Sequence, residues 1–272
     1  MEYRMIAVPK TKNWCDQYVE DNVLYVRERF LRHLSNGLVA ENLTSLLFSY
    51  LPNNLTVIDI TSSNITDIPF IPTLKKLYCG GNYIKKINLP EGLEVLDISN
   101  NPINEVVFPE SLLELNSIQC PILKYVLPSN LKKFSAGFWR SEYPETLPEG
   151  LIELQLSYIM NFNITKFPIT LKRIYLAGRS GLAPAACIPL KSIPELPDTL
   201  INLTLYELFL ENAPEIPATV ESLTMVGNNF KKICKLPKSL AYLDLRYNNY
   251  LGLIDIPDGL VEDQYRVYYK KE

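Results

Sequence analysis

The feature that most constrains this chain is a frame, Pro-x-x-Leu-x-x-Leu-x-Leu, that returns along most of its length. It is plainest in Pro52-Asn-Asn-Leu55-Thr-Val-Ile58-Asp-Ile60, in Pro90-Glu-Gly-Leu93-Glu-Val-Leu96-Asp-Ile98 and in Pro237-Lys-Ser-Leu240-Ala-Tyr-Leu243-Asp-Leu245. With the second apolar anchor as the register mark, the frame falls at Ile58, Leu77, Leu96, Leu115, Phe134, Leu154, Ile174, Leu203, Leu223 and Leu243. The spacing is 19 or 20 residues throughout, except for one interval of 29 between Ile174 and Leu203. A unit this short cannot close a core of its own, so ten of them must stack and share one.

Anchors at alternating positions, such as Leu96 and Ile98, send their side chains to one face of a short strand and leave the residue between them on the other. The expected fold is therefore a leucine-rich-repeat solenoid with a parallel β-sheet on its concave face. Proline six residues before the anchor fixes φ and denies the return segment a helix, so the convex side is expected to be extended or polyproline-like. That accounts for 20 prolines against 11 glycines.

Segments such as Leu89-Pro90-Glu91-Gly92-Leu93-Glu94-Val95-Leu96-Asp97-Ile98-Ser99-Asn100-Asn101 resemble the short repeats of bacterial secreted-effector leucine-rich-repeat proteins of the YopM/IpaH type, over roughly residues 51 to 260. The resemblance implies an asparagine three residues after the last strand anchor, its amide bonded to neighbouring turns in a ladder. Asn82, Asn101, Asn228 and Asn248 hold that place, and Cys120 is an accepted substitute. Trp139, Ile159, Arg179 and Leu208 depart from it, so a looser or reshaped turn is expected there. The long interval carries an insertion near residues 178–189, with Arg179 and Leu182 as candidate contact residues. The resemblance implies a carrier of a binding surface and leaves the function itself open.

The ends of such a stack need covering. Residues 13 to 34 read as an amphipathic helix stopped by Gly37, with a second short helix before Leu51, so residues 1–50 are expected to form a helical amino-terminal cap. Residues 51–260 are assigned to the repeats, and residues 261–272 to a carboxy-terminal cap strand or tail in which Gln264 to Lys270 alternate as an edge strand would. The ligase branch of the resembled family carries a further domain with a reactive cysteine, and too few residues follow the repeats here to supply one.

Little else points to chemistry. A net charge of −3 with 47% hydrophobic and 21% charged residues marks an ordinary globular chain. The lysine pairs, such as Lys75-Lys76 and Lys132-Lys133, are scattered among acids rather than gathered into the basic face that nucleic acid requires. No secretory signal or apolar span of 18 residues is visible, so a cytoplasmic or host-cytoplasmic location is expected, with a virion as the alternative. The five cysteines are single and lack CxxC spacing, against both a disulfide framework and a zinc site. His33, the one histidine, reads as a helix-face residue, and Cys15 has no nearby base. Gly80-Gly81-Asn82 lacks the lysine and following helix of a phosphate loop. Asn-x-Thr sequons at Asn42, Asn54, Asn64, Asn163 and Asn202 read as by-products of an asparagine-rich repeat.

The outward strand positions remain. Their central column runs Asp59, Tyr78, Asp97, Asn116, Ser135, Gln155, Tyr175, Thr204, Thr224 and Asp244, flanked among others by Arg173 and Tyr206. Asp59 and Asp97, two strands apart, would sit about 10 Å from one another, loose even for an inverting glycosidase pair. Tyrosine and arginine among small polar residues suit a protein interface. The expected function is a non-catalytic scaffold, without cofactor or metal, that binds a partner protein through Tyr78, Asp97, Asn116, Gln155, Arg173, Tyr175, Thr204, Tyr206 and Asp244. The alternative is a structural subunit of a larger assembly such as a virus particle.

Overall fold

The computed structural model describes residues 19–20, 23–25, 54–138, 140–160, 162–178, 190–233, 235–248, 254–260 and 265–266. Among them, thirteen strands form a single sheet in chain order: β1 (Val19–Glu20), β2 (Val23–Tyr25), β3 (Val57–Asp59), β4 (Lys76–Tyr78), β5 (Val95–Asp97), β6 (Glu114–Ile118), β7 (Lys133–Gly137), β8 (Glu153–Leu156), β9 (Arg173–Ala177), β10 (Asn202–Tyr206), β11 (Ser222–Val226), β12 (Tyr242–Asp244) and β13 (Tyr265–Arg266). Pairing is parallel from β2 onward, and β1 meets β2 antiparallel. No helix occurs among the described residues.

The register follows the anchors. Ile58, Leu77, Leu96, Leu115, Phe134, Leu154, Ile174, Leu203, Leu223 and Leu243 are partners across successive strands in one unbroken row. The 29-residue interval causes no slip: Ile174 faces Leu203 directly. Burial alternates as the pleat requires, with β10 buried at Leu203 and Leu205 and partly open at Asn202, Thr204 and Tyr206. A one-residue slip would turn every anchor to solvent, which is why the pattern specifies register so strongly.

Two further ladders tie the repeats together. Asn82, buried, donates from its amide nitrogen to the carbonyls of Ile60 and Cys79 and accepts from the N–H groups of Ser63 and Ile65. Asn101 and Asn228 repeat the arrangement, and the Cys120 thiol donates to the Ile98 carbonyl at 2.9 Å. The second ladder lies in the turns that lead into the strands. Among the described residues, each proline that heads a Pro-x-x-Leu opens a turn in which its carbonyl accepts from the N–H three residues on, as from Leu93 to Pro90 and from Leu200 to Pro197. Proline is thus the first residue of a tight turn rather than part of a straight approach. In six repeats the residue before the leucine or valine is Thr73, Ser111, Thr170, Thr199, Thr219 or Ser239, and its hydroxyl donates to a carbonyl of the preceding repeat.

Where asparagine is missing, apolar side chains fill the space: Ile159 and Leu208 are buried. The polar groups find other partners. Tyr143 donates to the Ser157 carbonyl, Tyr125 and Ser117 share a hydrogen bond at 2.9 Å, and Ser141 donates to the Ile122 carbonyl at 2.6 Å. Tyr125 stacks between Phe108 and Tyr143 and meets Phe134 edge-on, so this stretch is rebuilt around aromatic rings. Trp139 and Arg179 lie outside the described residues.

The amino-terminal expectation needs correction. Within the segment read as a helix over residues 13 to 34, Val19–Glu20 and Val23–Tyr25 form a hairpin, and β2 pairs with β3 through Leu24 and Ile58. The first repeat strand otherwise presents a row of unpaired N–H and C=O groups, and a strand rich in valine and tyrosine satisfies that row directly, which a helix does not. The rest of the expected helical cap, with His33 and Cys15, lies outside the described residues, as do most of the residues between 261 and 272.

Candidate functional site on the concave sheet

The central outward column is continuous. Asp59, Tyr78, Asp97, Asn116, Ser135, Gln155, Tyr175, Thr204, Thr224 and Asp244 are register partners from strand to strand. At about 4.8 Å per strand, this row spans some 43 Å of sheet. Tyr78, Asp97, Asn116, Gln155, Thr204 and Tyr206 are partly open, and Arg173 and Tyr175 are exposed. These residues share one face, as expected. Arg179 and Leu182 lie outside the described residues.

The acids of the column are largely engaged. Asp59 accepts from the Thr61 N–H and hydroxyl, and Asp97 from the Ser99 N–H and hydroxyl at 2.9 and 2.7 Å. Both carboxylates are spent on turning the chain out of the strand. Asp244 differs from its expected role as an open contact: it is buried, and Arg246 closes over it with Nε 2.9 Å from Oδ1 and Nη2 2.7 Å from Oδ2. A residue two positions along the same strand end reaches back to it, a pairing the column alone does not announce.

One flank of the column carries alternating charge. Glu114, Lys133, Glu153 and Arg173 are successive register partners, with Lys133 3.0 Å from Glu114 and Arg173 2.6 Å from Glu153. The hydrogen bond and charge of Glu114 hold the Lys133 ammonium above its ordinary pKa. These pairs are solvent-facing, so each contributes little to stability, about 0–1 kcal/mol. Their effect is to order the polar groups a partner would meet.

Three tyrosines lie on or just past β8, β9 and β10. Tyr158 follows β8, Tyr175 sits on β9, Tyr206 ends β10 and Glu207 follows it. Burial, then the Glu207 charge, raises the pKa of Tyr175; for Tyr206 the Glu207 charge comes first and burial second. Tyr158 and Glu207 belong to a column the frame did not reveal. The residue four past the anchor has positive φ at Ser62, Gly81, Asn100, Gln119, Tyr158, Glu207, Gly227 and Tyr247. Glycine and asparagine take that conformation readily, whereas tyrosine and glutamate are rare there and cost about 1 kcal/mol or more each. Such positions are legible only from the backbone.

Buried groups elsewhere are chemically quiet. Burial raises the Cys79 thiol, and burial outweighing an Asn101 backbone hydrogen bond pushes Cys120 to about 11. Iodoacetamide at pH 8 is therefore expected to leave both unmodified in the native protein and to alkylate both in urea, as mass spectrometry of peptides would read. Rapid native labelling of either would refute their sealed placement. Among the described residues, no group of three or more His, Cys, Asp or Glu side chains could hold a metal ion, and no helix is long and apolar enough to cross a membrane.

No protein-family model matches the chain, and no curated protein does. Solved structures do. One is CroV588, a circular leucine-rich-repeat protein, at 20% identity and a TM-score of 0.50, covering 79% of this chain and 37% of that one. The fold is a leucine-rich-repeat solenoid. YopM from Yersinia enterocolitica WA-314 aligns at 22% identity with a TM-score of 0.46, over 79% of this chain and 56% of that one. A leucine-rich-repeat protein of Leptospira interrogans aligns at 20% identity with a TM-score of 0.39, over 80% of this chain and 52% of that one. The chain thus spans 37 to 56% of the length of these solenoids, and at such identities the likeness bears on fold alone.

Proposed function

We propose that the solenoid is a binding scaffold that captures a partner protein on its concave sheet and performs no turnover of its own. The observation that carries this reading is the unbroken outward column, ordered by strand pairing, carrying Tyr78 and Tyr175 and flanked by a charge ladder. Rigid strands present these side chains at low entropic cost, and Tyr and Arg are the residue types that anchor interfaces. The carboxylates of the column hold turns or an arginine rather than facing one another across a cleft, which favours recognition over acid–base work. The effector-like branch of this reading places the chain in the cytoplasm, or in the cytoplasm of a host cell.

The test is a photo-crosslinking residue placed at Gln155 or Thr204, with a matched convex-side placement as control. Crosslinking of one protein in stoichiometric yield from the concave sites supports the scaffold. Retention of the chain in a sedimenting particle, with crosslinks to a second structural subunit, would favour a component of a larger assembly such as a virion. Against the partner so identified, Arg173→Glu combined with Tyr175→Ala is expected to weaken binding at least about a hundredfold, the sum of two anchor losses. The far-ultraviolet circular dichroism should stay unchanged, since both side chains are exposed. Unaltered affinity would move the interface off the concave centre.

A further inference from the structure

The return segments carry two outward rows on the side of the core away from the sheet. Tyr125 fixes their direction. Its buried ring meets Phe134 of β7 edge-on, so its neighbours Lys124 and Val126 turn away from the core, and both are exposed. The same alternation of open and covered positions stands 19 residues earlier at Glu105, Val106 and Val107, and again at Lys86, Ile87 and Asn88. Glu142 extends the row by one repeat, since it pairs with Lys124 in a parallel bridge and its N–H donates to the Leu123 carbonyl at 2.7 Å. One outward row thus reads Lys86, Glu105, Lys124, Glu142, and the row beside it holds Val107 and Val126. From Lys86 to Glu142 is three repeat spacings, about 14 Å.

Both rows are left without a counterpart in the chain. Val107 is 88% exposed and Val126 77%, the two highest values of any large apolar side chain among the described residues, and they occupy adjacent repeats. A lone valine on a surface is ordinary, whereas the two most exposed ones side by side mark a place that contact would cover. The signs of the charged row alternate as they do in Glu114, Lys133, Glu153 and Arg173 on the sheet. There Lys133 and Arg173 close on their neighbours, but Lys86, Glu105, Lys124 and Glu142 form no ion pair among the described residues. The sheet's charges are spent within the chain, and those of the return row are open to charges from outside it.

We propose that two copies of the chain meet on this return face, related by a two-fold axis that lies in the interface, runs along the return segments and passes between the repeats of Glu105 and Lys124. Such an axis lays each row antiparallel on its own copy. Glu105 of one protomer then faces Lys124 of the other, Lys86 faces Glu142 and Val107 packs on Val126, each contact being made twice. The order of the signs selects this arrangement. Rows laid parallel in register set like charge on like, and an axis moved by half a repeat to pass through Glu105 sets Lys86 against Lys124. Moved a whole repeat toward Lys86, the axis still matches charges but places Val107 on Asn88. Asp67, the exposed acid one repeat before Lys86, lies beyond the matched pairs. The concave sheet, across the core, stays uncovered in the dimer.

Sedimentation velocity of the full chain from about 10 to 500 µM is the test, since a contact smaller than the roughly 800 Å² per partner of a standard interface is expected to hold with a Kd on the order of 100 µM. The parent should pass from monomer to dimer across that range and go no further. Glu105→Lys alone and Lys124→Glu alone should each weaken the dimer about tenfold or more by setting like charges face to face. An equimolar mixture of the two variants should recover the parent's dimer, because every facing pair in the mixed dimer is again of opposite sign. Val126→Asp should leave a monomer throughout. All three side chains are exposed, so each variant should melt where the parent does. A parent that stays monomeric, a folded Val126→Asp protein that dimerises like the parent, or a mixture that associates no better than its components would each overturn the proposal. Growth into an open series of larger species would do so too, because a two-fold contact closes on itself. The crosslinks at Gln155 and Thr204 probe the other face, so either result can fail while the other stands.

Discussion

Asn82→Ala is expected to destabilise the chain by about 4 kcal/mol or more, because four buried backbone groups lose their partner at once. The Asn82 amide accepts from Ser63 and Ile65 and donates to Ile60 and Cys79, and it is 3% exposed, so water cannot replace it without opening the turn. An unpaired buried donor or acceptor costs about 1–3 kcal/mol, and partial relaxation brings the sum below its maximum. Asn248→Ala is the internal comparison. Its Nδ2 donates to the Met225 and Leu245 carbonyls, but its Oδ1 accepts from nothing among the described residues. It should cost about half as much, on the order of 2 kcal/mol. Urea denaturation of the two variants beside the parent reads the difference, and equal losses would mean that the accepting half of the ladder contributes nothing.

The same position shows why the middle of the solenoid does not come apart where its asparagines stop. Ile159 and Leu208 cannot bond the turn, yet both are buried, and the hydroxyls of Thr170, Thr199, Thr219 and Ser239 continue to stitch each repeat to the one before. The turn is reshaped where asparagine is missing, and the second ladder holds the repeats together without it. Its signal stood in the sequence: Ser or Thr one place before the leucine or valine, two after proline, in Pro109-Glu-Ser-Leu112, Pro168-Ile-Thr-Leu171 and Pro197-Asp-Thr-Leu200. A repeat frame defined by its apolar anchors passes over such a residue, because its contribution lies in the hydroxyl and not in burial.

Strand register and the concave columns were legible because a period of two fixes which side chains face out, and nothing but a slip could change that. The 29-residue interval did not disturb it, since Ile174 and Leu203 are paired whatever the connection does. Three things lay beyond the pattern. The hairpin at Val19–Tyr25 depends on an open edge that exists only once β3 has formed, so a local helical periodicity lost to a tertiary partner. The closure of Arg246 over Asp244 is a matter of side-chain reach. The positive-φ column recurs at fixed distance from the anchor, but its residue types, from Gly81 to Tyr158 and Glu207, are too varied for composition to reveal it.

Gly178→Ala is expected to cost about 3 kcal/mol although it adds a single methyl group. What that methyl meets decides the sign and size. At Gly92 a Cβ would lie 3.2 Å from the Lys75 Nζ, the end of a side chain that can swing away, and at Gly259 it would meet nothing within 4 Å. Alanine at either place should be neutral or stabilising by about 0.4–1 kcal/mol, through a less free unfolded chain. At Gly178 the obstacle is the backbone carbonyl of Glu207, which is held in place because the Gly178 N–H bonds to the Tyr206 carbonyl and the Glu207 N–H to the Val226 carbonyl. Relief therefore means parting the turns after β9 and β10 and giving up the Gly178 bond. Thermal denaturation of the three alanine variants should single out Gly178, and amide exchange should quicken at Gly178 and Glu207 before it does at Leu203. A Gly178→Ala protein as stable as the Gly92→Ala one would mean that these two turns do not touch.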